Sequence, residues 1–78
     1  MGVVQSIARE KFVALAEKRV ARTIKDIRLI GNLSNKSNYS YDESDVKKIM
    51  LTLESEMKIL KKRFAENENQ NKVVFKLE

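Results

Sequence analysis

Gly31-Asn32-Leu33-Ser34-Asn35-Lys36-Ser37-Asn38-Tyr39-Ser40-Tyr41 decides how this chain folds, because it separates two long helical patterns. Helical neighbours in a bundle are joined by roughly two to eight residues. This connection is longer, and nearly every side chain in it can hydrogen-bond. Asn and Ser bond their own backbone in turns, and Gly31 can take the left-handed conformation that stops a helix. With Leu33 plugging a bundle end and Tyr39 covering a core, the segment reads as an interhelical loop.

Upstream, Val13, Ala16, Val20, Ile24, Ile27 and Ile30 recur at steps of three and four. That spacing puts them on one face of a helix. The pattern predicts a helix over about 7–30, with Ser6 as its N-cap and Gly31 as its stop. Ala8, Phe12 and Leu15 widen the apolar face beyond what one neighbouring helix covers.

Downstream, Asp42 is the expected N-cap and Asp45 stands three residues later, an acidic relative of the capping box. Tyr41 and Val46 flank them at the spacing of a hydrophobic staple. Glu43 and Asp45 put negative charge where a helix dipole favours it. Val46, Met50, Leu53, Met57, Leu60 and Phe64 then follow at alternating steps of four and three. This is a heptad seam, the signature of helices that pack side by side. Ile49 broadens the seam, while Leu51 and Ile59 point elsewhere. The methionines on it read as packing residues.

The second helix is expected over about 43–65. The run Glu66-Asn67-Glu68-Asn69-Gln70-Asn71 reads as a polar linker, followed by alternation at Val73, Phe75 and Leu77 that suits a short extended tail. Val3 and Val4 are candidate partners for that tail. The expected organisation is therefore a helical hairpin over residues 1–65, with loop 31–42, and a linker and tail over 66–78. The fold class is all-α.

Composition narrows the chemistry. The chain has 78 residues, no Cys and no His. Disulfides, the common zinc sites and the usual nucleophile–base pairs are therefore out of reach. Its two glycines, at positions 2 and 31, form no phosphate-binding or dinucleotide fingerprint. No catalytic residue, metal ligand or cofactor is assigned, and no enzymatic activity is expected. A metal at Asp42, Glu43 and Asp45 is the weaker reading, since contiguous carboxylates at a helix start rarely converge on one ion. No apolar run approaches the ~18 residues of a membrane span. The N-terminus lacks a basic n-region, so a cytoplasmic protein without membrane attachment is expected.

Both helices carry apolar residues beyond a single stripe. A hairpin covers one stripe per helix and leaves Phe12, Leu15, Leu51, Ile59 and Phe75 facing water. Burying one such side chain is worth about 1.5–3 kcal/mol. The expected state is a homo-oligomer, most simply two hairpins in an antiparallel four-helix bundle. The alternative is a higher oligomer centred on the second helix.

Two surfaces are candidates for binding. Arg28, Asn32, Asn35, Lys36, Asn38 and Tyr39 combine amides, cations and an aromatic ring around the loop. Those groups suit a nucleotide or another phosphate-bearing ligand. Lys11, Lys18, Arg22 and Lys25 fall within a narrow arc of the first helix. With a net charge of +5, that arc is the alternative site, one for nucleic acid held through its phosphates. The connection is too long for a helix-turn-helix reader.

The run Ile27-Arg28-Leu29-Ile30-Gly31-Asn32-Leu33-Ser34-Asn35, then Ser37-Asn38-Tyr39, Tyr41 and Val46-Lys47-Lys48-Ile49, resembles small uncharacterised proteins of bacteria and their phages or mobile elements. The resemblance covers about half the chain, from late in the first helix into the second. It implies a helical hairpin and a mobile-element origin. Small phage proteins often work stoichiometrically by sequestering a host component. The expected function is accordingly a non-enzymatic oligomeric binding protein, of the kind used in counter-defence. A protein–protein interaction module built on the heptad seam is a further alternative.

Overall fold

The structure is a computed structural model that describes residues 3–71, with side chains from Ser6 to Glu68. It is all-α, in the expected order: α1 spans Val3–Asn32 and α2 spans Glu43–Asn71. The chain divides into two units, Met1–Ser40 and Tyr41–Glu78, each built around one helix. The extended tail expected at Val73, Phe75 and Leu77 lies outside the described residues.

α1 is longer than expected at both ends. Ser6 lies inside its first turns and not at its cap, because nothing from Val3 onward opposes helix. Val3 and Val4 are helical, so they are no ribbon for the tail to pair with. Gly31 is helical too, which corrects its reading as a left-handed stop. The helix closes by tightening. Leu33 N–H donates to the Ile30 carbonyl at 3.0 Å, Ser34 to Gly31 at 3.0 Å and Asn35 to Asn32 at 3.4 Å. Each bond spans three residues and not four, the narrower winding common where a helix must satisfy its last carbonyls.

Apart from its chain neighbours and the nearby backbone of its own helix, no heavy atom lies within 4 Å of the position a Cβ would take on Gly31. Gly31→Ala is therefore expected to stabilise the chain by about 0.5–1 kcal/mol, since alanine keeps the helical backbone at less entropic cost. Thermal melting followed by circular dichroism checks this. A lower melting temperature for the variant would restore the left-handed reading.

α2 begins as its sequence demands. Asp45 N–H donates to Asp42 Oδ1 at 2.9 Å, and Asp42 N–H donates to Asp45 Oδ2 at 3.0 Å. This is a reciprocal capping box with an aspartate in the place usually held by Glu or Gln. The first helical bond, from Val46 N–H to the Asp42 carbonyl, closes at 3.2 Å. Tyr41, directly before the cap, is half-buried.

The far end of α2 corrects the expected linker. Glu66 to Asn71 continue the helix beyond Ala65. The run is polar but contains neither Gly nor Pro, and its Glu and Gln residues are sound helix formers. Two exposed side-chain contacts form at that junction. Asn67 Nδ2 donates to the Arg63 carbonyl at 2.9 Å, and Lys62 Nζ lies 3.8 Å from Glu66 Oε1. Polarity alone does not end a helix that meets no breaking residue.

Among the described residues none is buried. Val13, Ala16, Tyr41 and Leu53 are half-buried and the others exposed. The stripe of α1 and the seam of α2 are thus formed as helical faces, and their apolar residues remain largely open to solvent.

Candidate functional site

Three hydrogen bonds of the loop converge on Asn35, one on its side chain and two on its backbone carbonyl. Asn35 Oδ1 accepts from Ser37 N–H at 3.0 Å. The Asn35 carbonyl accepts from Asn38 N–H at 3.1 Å and from Tyr39 N–H at 3.0 Å. The first bond is an Asx-turn, in which a side-chain carbonyl imitates a backbone one. Asn35 therefore works as the hub of a tight turn over 35–39. Its Oδ1 takes part in that turn, and its amide nitrogen remains as a donor for a ligand contact.

The other candidates divide between helix and turn. Arg28 and Asn32 stand four residues apart on the last turns of α1, one above the other on the same face. Lys36, Asn38 and Tyr39 belong to the turn that Asn35 closes. All six are exposed. Leu33 and Tyr39, expected as anchors, are 45% and 48% exposed, so within the single chain the local bonds of Asn35 hold the connection and apolar burial does not. Asn recurs three times in the loop, at 32, 35 and 38, and each is a residue type that forms Asx-turns, so the sequence offers three candidates for this hub. Which of the three closes the turn is set by the backbone geometry that brings Ser37 N–H to Asn35 Oδ1.

The alternative site keeps its geometry. Lys11, Lys18, Arg22 and Lys25 are all exposed on α1. At 3.6 residues and 5.4 Å per turn they occupy an arc of about 60° over about 21 Å of helix. Leu15 and Leu29 fall within or beside that arc, so it is not a purely charged face. On the other side, the guanidinium of Arg9 lies 5.8 Å from the centroid of the Phe12 ring. That contact shields one exposed aromatic of α1 with a cation.

The acidic start of α2 turns its Asp42 and Asp45 carboxylates to backbone N–H groups. Among the described residues no group of three or more Asp or Glu side chains converges as a metal site would require. No helix among them is long and apolar enough to cross a membrane.

Comparison with protein-family models, with curated proteins and with solved structures returns no match to this chain.

Proposed function

We propose that this chain is a non-enzymatic, oligomeric binding protein that takes up a nucleotide or another phosphate-bearing ligand at the connection after α1, as a phage or mobile-element protein would to sequester a host signal. The reading rests on the turn closed by Asn35. It fixes a short exposed backbone segment carrying Lys36, Asn38 and Tyr39, directly after the helical turn that carries Arg28 and Asn32. Guanidinium and ammonium groups neutralise phosphate, an amide reads a base edge, and a phenol ring offers a stacking face. Assembly into a homo-oligomer is supported by the exposed apolar residues of both helices.

A second reading has its own support in the narrow cationic arc of Lys11, Lys18, Arg22 and Lys25. A face of that kind tracks a polynucleotide by charge, and such binding weakens steeply with salt.

A thermal-shift panel of nucleotides, cyclic nucleotides and duplex DNA at two salt concentrations tests both. A discrete rise with one small ligand supports the loop site, because a ligand that binds the folded state raises its melting point. Stabilisation by every polynucleotide, lost at high salt, supports the arc. No response to any of them would leave a protein-interaction module as the function.

The loop site has a cleaner mutational test than its central residue offers. Asn35→Ala removes a turn bond, so it confounds structure with binding. Arg28→Ala combined with Asn38→Ala removes side chains that carry none of the turn's bonds. The double variant is expected to keep its helicity and its sedimentation while losing the ligand-induced shift. Retained ligand stabilisation would rule the loop out as the site.

A further inference from the structure

We infer that the seam of α2 is a self-pairing surface, and that its occupant is the α2 of a second copy of this chain, parallel and in register. The inference deepens the oligomeric part of the proposed function and is independent of any ligand. Five of the six seam residues, Val46, Met50, Met57, Leu60 and Phe64, are 42–63% exposed, and only Leu53 is half-buried.

Heptad positions follow from the spacing. Val46, Leu53 and Leu60 take position d, and Met50, Met57 and Phe64 take position a. The apolar run stops at Phe64, because the next d position is Asn67, whose amide is bonded to the Arg63 carbonyl. Lys62 and Glu66 pair with each other at positions f and c, on the side away from the seam.

The flanks identify the partner. Lys47, Glu54, Lys61 and Glu68 occupy successive e positions, and Ile49, Glu56 and Arg63 occupy g positions, so that two of the three g residues are charged. In a parallel coiled coil a g residue meets the e residue five places later on the other helix. Glu56 thereby meets Lys61 of the second copy, and Arg63 meets Glu68. Both meetings join opposite charges, and two-fold symmetry repeats each of them. An antiparallel pairing that retains all six apolar layers is centred at Ser55, and there g residues face g residues and e residues face e residues. It sets Glu56 against Glu56, Glu54 against Glu54 and Lys47 against Lys61. Charge complementarity therefore selects a second copy as the occupant and the parallel direction as its orientation.

Charge exchange tests the direction by sedimentation equilibrium. Glu56→Lys alone puts two cations together in the parallel pair and is expected to weaken association roughly tenfold. Lys61→Glu alone puts two carboxylates together and should weaken it to a similar degree. Combining the two restores the parallel pair with its signs reversed, so the double variant should recover wild-type association. The antiparallel arrangement gives a different pattern. There Glu56→Lys exchanges one like-charge pair for another and changes little, whereas Lys61→Glu faces Lys47 and strengthens association. That result would overturn the inference and leave the oligomeric reading intact.

A second readout uses the absence of native cysteine. Val46→Cys should cross-link to itself on oxidation, because parallel helices in register bring equivalent d positions together. Cross-linking only between separate Val46→Cys and Phe64→Cys chains would establish the antiparallel direction instead. A wild-type chain that stays monomeric, with the seam taken by its own α1, would remove both the inference and the oligomeric reading.

Discussion

Leu53→Asp is expected to abolish assembly, with wild-type sedimentation giving way to a single monomeric species and a large loss of helicity at micromolar concentration. Leu53 sits at the middle of the α2 seam and is the only half-buried residue of that seam in the single chain. In the proposed assembly it would lie in the middle layer of the seam. A carboxylate there would lose its water without gaining a partner, a cost of several kcal/mol that ordinarily drives the group to avoid burial altogether. Folded domains are stable by only about 5–15 kcal/mol, so one such layer decides the outcome. Leu51→Asp is the control. Leu51 lies on the same helix but off the seam and is 55% exposed, and its replacement should leave assembly nearly unchanged. Equal damage from both variants would show that loss of helix propensity, and not loss of the seam, accounts for the effect.

Asp42→Ala is the substitution with the next largest expected effect, a destabilisation of about 0.5–2 kcal/mol. Asp42 supplies the oxygen that satisfies the Asp45 N–H, and the return bond from Asp42 N–H to Asp45 Oδ2 depends on the same geometry. Losing the first loosens the second, so α2 should fray from its start. Asp42→Asn, which keeps the accepting oxygen, should recover most of the loss. An unchanged melting temperature for Asp42→Ala would mean that α2 starts elsewhere in solution, with Ser44 as the next capping residue.

These two sites also show what is legible in the sequence. The start of α2 is readable because a capping box is local: the bonds it makes join residues three apart, and both partners are in view. The heptad seam is readable for the same reason, since periodicity alone defines a helical face. Helix ends defined by the absence of a breaker are harder. Glu66 to Asn71 resemble a linker in their polarity, yet with neither Gly nor Pro to break it α2 continues through them. Gly31 resembles a stop because glycine so often is one. Here the helix narrows through Leu33, Ser34 and Asn35 instead. Asn35 is visible as a polar side chain, but its part as the centre of a turn depends on which backbone groups come within reach of it. Composition thus names the candidate site without revealing its internal order.

The α1 arc and the loop differ in what they ask of the fold. The four cations need only helical periodicity, which α1 supplies from Lys11 to Lys25. The loop residues need the Asn35 turn as well, so perturbing that turn should affect ligand binding while sparing any polynucleotide binding. Salt dependence and turn dependence are therefore separable in one protein.

The central claim is that two helices without a buried side chain among their described residues acquire their core by associating with further copies. Its most direct test is thermal unfolding of the wild-type chain over a hundredfold range of protein concentration, with mass measured by sedimentation equilibrium on the same samples. A melting temperature that rises with concentration, together with a mass that is a multiple of 9.0 kDa, is the predicted result. A cooperative melt independent of concentration at the monomer mass would contradict it.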